Sequence, residues 1–522
     1  MGGYTVQSGT MVLEGIKTHH VWKSDANDWT FASIEGSDVT VKNGAAFQLS
    51  HHAQLVGDVV VEGNGSFIMN QAVNADYESI SGGAKINMAG KEITSMIGDV
   101  VLKESGKSIA QMVANISSSA VTVLDGNIIM DLDAGGAYKA TCLTKTGNGI
   151  LSVTGTANIY SANIEEGGLV VGNAKVSATD NWFNWTIGEK GFLAAVGLDD
   201  LQYYLTQGII SKSSNGVLAL TSDQSVQLTG EAISNGLYIG AWGEVHYGSA
   251  NASLSANNEG NWLLGGGTGT LIVDFKLTGD KDLIVGNEWS SGTVHLTNTA
   301  NDIKDIYIKG TGNKLTYESV AALGGATISL TYGNALGLYD ANMLDVVNMN
   351  SSGVLALASS ADLNLAGRNL AIGALNDLTY QGNISLGEGE SYRFGGSGNL
   401  TVDTELKATN KMQIDGQGTT GSSVTLAREN AFTGDIIVGG GLELETPNSQ
   451  GNIALHAGHS SALAAANSID LQKGADFYTD GQNLMTQNLS AQSGSTISNN
   501  GNSNSSLVLY VTEGVNTSIA DG

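Results

Sequence analysis

The residue types that do chemistry are sparse in this sequence, and their spacing fits few reactions. Asp131 and Asp133 stand two apart, which on a strand puts both carboxylates on one face. Such a pair serves glycosidases, and with a base such as Lys139 nearby it would suit a polysaccharide lyase or hydrolase. An anionic glycan would need a basic cleft as well, and Lys plus Arg number only 23. Turn capping or incidental cation binding is therefore the preferred reading of the pair, and Asp199-Asp200 falls in an irregular stretch. His456 and His459, three apart with no Cys or carboxylate pair beside them, fall short of a tetrahedral metal set. His19-His20 and His51-His52 would each place one ring on either face of a strand and are read as surface residues. Gly396-Ser397-Gly398 runs into Asn399 and is no nucleophile elbow. Gly265-Gly266-Gly267-Thr268-Gly269 lacks the Asp of a calcium repeat and the following helix of a phosphate loop. No catalytic residue, metal site or cofactor is assigned, and the chain is expected not to be an enzyme.

The aromatic residues are the most uneven feature. Five of the seven tryptophans, Trp182, Trp185, Trp242, Trp262 and Trp289, fall within one stretch, joined by Tyr203, Tyr204, Tyr238 and Tyr247. Two readings stand. The rings plug the core where a coil is irregular, or they stand on loops as a ligand-binding platform. In the second reading Asn181, Asn184, Asn261 and Glu288 supply hydrogen bonds to sugar hydroxyls or backbone amides.

Composition says what kind of frame carries these side chains. Gly contributes 71 of 522 residues and Pro one, while charged residues make up 14% and hydrophobic ones 41%. Apolar content is ample for a core, so disorder is not implied. The net charge of −27 and the absence of a basic run exclude nucleic acid and an anionic bilayer as partners. No apolar stretch approaches the ~20 residues needed to span a membrane as a helix. Met1-Gly2-Gly3-Tyr4 opens without the basic start and apolar core of a signal peptide, and the chain is read as a mature or internal piece. Cys142, the sole cysteine, can form no internal disulfide and reads as a small buried side chain.

Internal repeats set the architecture. Asp38-Val39-Thr40-Val41 with Phe47 recurs as Asp58-Val59-Val60-Val61 with Phe67, an offset of 20, and Asp99-Val100-Val101-Leu102 restates the strand. Gly216–Gly230 matches Gly353–Gly367 at an offset of 137 with identical internal spacing. Each unit is a short alternating strand, a turn of Gly, Asn, Asp or Ser, then another strand. A coiled ladder of parallel strands explains this best, because inward Val, Ile and Leu then stack into one continuous core. Outward Thr, Ser and Asn form neutral ladders and avoid stacking like charges every ~4.8 Å. Proline is excluded because nearly every strand N–H must reach a neighbouring coil.

Leu143–Asn173 then resembles the passenger-associated transport repeat of bacterial autotransporters. Lys145, Gly147, Gly149, Leu151, Val153, Gly155, Asn158, Tyr160, Ile164, Gly167, Leu169 and Val171 sit where that pattern places them, give or take a residue. Weaker copies are Gly292–Thr316 and Ser423–Thr446, and Ala162 or Ser161 replaces the usual glycine after the aromatic. The resemblance implies an all-β, right-handed parallel β-helix, exported through an outer-membrane barrel and displayed at the bacterial cell surface. The closing residues Ser518-Ile519-Ala520-Asp521-Gly522 do not read as a barrel strand, so this is taken as a passenger segment.

The expected organisation is N-terminal coils over 1–179, coils with aromatic-rich loops over 180–290, and C-terminal coils over 291–522 with weaker periodicity near the end. One elongated rod of about 20-residue coils accounts for the length. The expected function is a non-enzymatic adhesin. Its partners would be a host glycan, an extracellular-matrix protein or identical passengers on neighbouring cells, with biofilm formation as one outcome. The alternatives are a β-helix polysaccharide lyase or hydrolase, and a purely structural surface stalk.

Overall fold

The protein is described from a computed structural model covering residues 4–13, 16–17, 29–30, 32–35, 38–42, 45–50, 53–62, 66–70, 87–88, 91–92, 97–105, 108–109, 111–116, 121–124, 127–131, 143–158, 161–174, 184–196, 201–248, 252–407, 411–417, 422–439, 453–501 and 504–509. About 50% is strand and 5% helix, and the parallel strands stack as a β-solenoid of about 16 turns. The parallel solenoid expected from the repeats is therefore what forms. The chain divides into two compact units, Met1–Phe275 and Lys276–Gly522. That division falls inside the aromatic-rich stretch expected as a segment of its own.

In the first unit the repeated phenylalanines become neighbours. Met11, Phe47, Phe67, Met112, Leu143, Ala162 and Trp185 follow one another in register on successive strands. Phe47 and Phe67 stack at 5.7 Å with planes 12° apart. A second column runs Leu151, Leu169, Leu193, Leu218, Ile239 and Leu264. All six of these are buried, as are Val59 and Val61. Burying each such side chain contributes roughly 1.5–3 kcal/mol, and the parallel register repeats that gain at every coil. The register advances by 20 residues from Val39 to Val59 but by 25 from Leu193 to Leu218. Coil length varies because corners absorb insertions while the strands hold register.

Simple alternation fails on one side of this ladder. Val217–Leu220 is buried at all four positions. Val170, Phe192, Ala194, Val217 and Ala219 occupy the positions between the core columns, so they face the opposite side of the sheet. There they form a second apolar cluster, with Ile150, Tyr238 and Trp242 packed against it. A short helix forms at Leu201–Thr206, with Leu201, Tyr204 and Leu205 buried.

The second unit has its own columns, with Leu315, Leu336, Leu355, Ile372, Phe394, Ile414, Val438 and Leu471 in successive register. The repeat at offset 137 extends here into a seven-strand module present once in each unit. Strands Val217–Leu220, Gln227–Leu228, Tyr238–Ala241, Glu244–Tyr247, Ser253–Leu254, Trp262–Leu264 and Thr270–Val273 correspond in order to Val354–Leu357, Leu363–Asn364, Ala371–Ala374, Asp377–Tyr380, Ile384–Ser385, Tyr392–Phe394 and Asn399–Val402. Their pairings match one for one. Each copy buries one tyrosine whose hydroxyl donates to two carbonyls: Tyr247 to Val226 and Ser253, and Tyr380 to Ala361 and Asn383.

The glycine runs belong to this module. Gly265, Gly266 and Gly267 take φ of 101°, 85° and 80°, and Gly395 and Gly396 take 108° and 79°. These corners press onto the preceding coil. A Cβ on Gly240 would lie 2.3 Å from the Gly266 carbonyl oxygen, and one on Gly373 would lie 2.9 Å from that of Gly395. Glycine is required at both partners, for the left-handed backbone on one side and for close approach on the other.

Candidate functional site

The tryptophans do not gather into one exposed platform. Trp185, on strand Asn184–Ala195, is fully buried and continues the Phe47–Phe67 column. Its register partner is Ala162, small enough to leave room for the indole. Trp262, on strand Trp262–Leu264, is also buried, at 2% exposure. Trp242 is half-buried, stacked on Phe192 at 6.0 Å and 26°, and belongs to the second apolar cluster. Trp289 is 48% exposed. Trp182 and Asn181 lie outside the described residues. Asn184 and Glu288 are exposed, and Asn261 is half-buried with its side chain on Glu259. Trp185 and Trp262 thus fill the core, because strand alternation turns both inward.

Other sequence candidates separate in the same way. His456 pairs with Asp480 at 2.8 Å, while His459 Nδ1 accepts from the Ser461 N–H at 3.1 Å. Among the described residues no three His, Cys, Asp or Glu side chains gather to hold a metal. Ser397 is buried at 4% exposure within the glycine corner. Asp131 ends strand Ile128–Asp131, opposite Lys103 in register. Asp133, Lys139, Cys142, Asp199, Asp200, His19, His20, His51 and His52 lie outside the described residues.

Three polar sites were not assigned from sequence. Asn301 and Asn430 are buried and bridge three coils each. Asn301 Oδ1 accepts from the Leu277 N–H at 2.9 Å and its Nδ2 donates to the Ala322 carbonyl at 2.8 Å. Asn430 repeats this with Leu406 at 3.0 Å and Ala462 at 3.1 Å. Lys145, in the strongest copy, is fully buried, and its ammonium donates to the carbonyls of Thr146, Gly147 and Glu166 at 2.7, 2.7 and 3.0 Å. Burial pulls its pKa down to about 7, against an opposing pull from Glu166. These side chains tie neighbouring coils together. The third site joins residues far apart in sequence: the Tyr332 hydroxyl donates to Asp415, and the Gly333 N–H to Gln417 Oε1 at 3.2 Å. Burial raises the Asp415 pKa despite hydrogen bonds from Gln417 and Tyr332 and the nearby Arg393. No spacing in the sequence announces that contact.

Among the described candidates Trp289 is the exposed tryptophan. Its turn is fixed by buried Asn287, whose Oδ1 accepts from the N–H groups of Trp289 and Ser290 at 3.1 and 2.8 Å. Asn313 on the next coil donates to the Asn287 carbonyl at 3.2 Å, and its N–H donates to Asn334 Oδ1 at 3.0 Å. Asn334 in turn donates to the Gly310 carbonyl at 2.7 Å. Three successive turns are stapled by one asparagine each, so the indole is carried on a backbone that is already ordered. Elsewhere polar side chains link neighbouring coils along the surface. Asn399 donates to Asp377 at 2.8 Å and receives Ser423 at 2.9 Å, crossing three coils.

No family model matches the chain. Over 395 residues it is 24% identical to outer membrane protein B of Rickettsia rickettsii, an alignment covering 70% of this chain and 23% of that protein. The chain spans less than a quarter of that relative's length. What the molecule displays is thus a parallel β-solenoid with an ordered, tryptophan-bearing turn, similar in sequence to part of an outer membrane protein.

Proposed function

We propose that this chain is a surface-displayed adhesin of the autotransporter passenger type, which attaches cells without catalysis. The observation that carries this is the likeness to an outer membrane protein over 70% of the chain, on a β-solenoid framework. The neutral ladders support it physically. Each exposed Asn, Ser or Thr offers a weak hydrogen bond worth ~0.5–1.5 kcal/mol net, and a long face sums many of them. A host glycan, a matrix protein or an identical chain on another cell would be held by that sum, with an aromatic anchor adding specificity. Trp289 is the anchor this reading selects, since it is exposed on an ordered turn beside Glu288. Cells displaying the chain should settle or adhere to glycan- and matrix-coated surfaces, while cells displaying an unrelated β-solenoid should not. Trp289→Ala should weaken adhesion several-fold and leave the melting temperature unchanged, because a surface truncation shifts stability by only about ±0.5 kcal/mol. Non-adherent, non-settling cells, together with a purified chain that binds neither itself nor those surfaces, would overturn the reading.

A further inference from the structure

The described residues include four histidines, and three of them stand diagonally across from a carboxylate on the next coil. His246 lies on strand Glu244–Tyr247 in register with Ile272, and Asp274, two residues beyond that partner, meets its Nδ1 at 2.7 Å. His456 lies on Ile453–Ala457 in register with Tyr478, and Asp480, again two beyond, meets its Nδ1 at 2.8 Å. His295 lies on Gly292–Leu296 in register with Thr316, and Glu318, two beyond, stands 3.8 Å from its Nε2. Side chains two apart on a strand share a face, so each ring meets a carboxylate diagonally across adjacent coils. The recurrence in unrelated sequence contexts is the observation that carries weight.

We propose that these diagonal histidine–carboxylate pairs are acid-tightened clasps that lock adjacent coils together when the surroundings become mildly acidic. In the His246 and His456 pairs a neutral imidazole gives one hydrogen bond and an imidazolium an ion pair as well, whereas at the 3.8 Å of His295 and Glu318 protonation adds the charge attraction alone. The neighbouring charges favour this. His246 also faces Asp223, which accepts its backbone N–H at 2.9 Å, and Glu244. The hydrogen bond to Asp274 is the largest cause raising its pKa above the ordinary histidine value. The His456 ring lies 4.7 Å from that of Tyr478, beside which Asp476 and Asp480 also stand, while Arg428, beyond the preceding strand, is held by Asp403 at 3.7 Å. Around His295 the Thr316 hydroxyl lies 2.9 Å from Nδ1, and Lys314 stands on the same strand as Thr316. A raised histidine pKa adds stability that is complete below the unfolded value of about 6.5 and is lost as pH rises through the folded value. The His246 clasp therefore works in the weakly acidic range.

The test compares thermal melting of the 522-residue chain with that of the His246→Gln/His295→Gln/His456→Gln variant, from about pH 8 to about pH 5.5. Easing of the −27 charge stabilises both proteins on acidification and cancels in the difference. The parent should gain a few degrees over the variant as pH falls, and the two should converge near pH 8. Parallel curves would overturn the proposal. Titration of the histidine rings by NMR in the folded parent gives an independent reading. For His246, a midpoint above about 6.5 that drops in Asp274→Asn supports it, and a midpoint at or below that value refutes it.

Discussion

At the scale of single residues, the polar side chains that matter most are those tying one coil to the next. Lys145 shows how. Its position in the repeat pattern was legible, but its task was not, because the three carbonyls it serves come from two different coils. A buried ammonium with three acceptors is costly to disturb. Lys145→Met should lower stability by roughly 2–4 kcal/mol in urea denaturation, as buried carbonyls lose their donors. The pH dependence has a definite sign. With a folded pKa of about 7 against an ordinary 10.5, the unfolded chain binds the proton more tightly across that window. The contribution of this group to stability therefore rises as pH climbs from about 7 toward 10 and is smallest below 7. The methionine variant should lose that upward trend. Equal slopes for parent and variant between those limits would show that Lys145 stays charged in the fold.

At the scale of elements, the corners are as specific as the strands. The Gly265–Gly267 corner fits only because Gly240 on the coil beneath has no side chain, and Gly395–Gly396 relates to Gly373 in the same way. Gly240→Ala and Gly373→Ala should each destabilise, by roughly 1–3 kcal/mol, through overpacking against backbone that has nowhere to move. Gly240 should be the worse affected, since its Cβ would approach a carbonyl oxygen to 2.3 Å against 2.9 Å for Gly373. Melting temperatures of the two variants check the order as well as the sign. Neither glycine has positive φ. A loss at these positions would thus report crowding alone, free of left-handed backbone strain.

For the whole molecule, a solenoid is held by nearest-neighbour contacts, so cooperativity need not extend along its length. The tryptophans make this measurable. Six of the seven lie before residue 276, and Trp289 alone reports on the second unit. Urea unfolding followed by tryptophan fluorescence should therefore track the first unit, whereas far-UV circular dichroism tracks strand in both. The two transitions should not coincide. Superimposable curves would mean that the 522 residues unfold as one cooperative block.

The sequence by itself determined the strand-and-turn rhythm, the parallel stacking and the columns that form the core. The recurrence of Phe47 at Phe67 is a stacked pair in space, and the match of Gly216–Gly230 with Gly353–Gly367 is the visible edge of a seven-strand module. These were readable because they depend on period and offset, which a linear string records. The fate of the aromatic cluster was not readable in that way. Alternation puts Trp185 on one of two faces, but only the coil beneath, with Ala162 in register, shows that this face has room for an indole. The second apolar cluster around Phe192 and Trp242 likewise depends on what neighbouring strands present on their outer side. The histidine–carboxylate pairs, the asparagine staples to backbone and the Tyr332–Asp415 contact join groups on different coils. Coil length varies from corner to corner, so no fixed spacing encodes those meetings, and the stacking register alone brings the partners together.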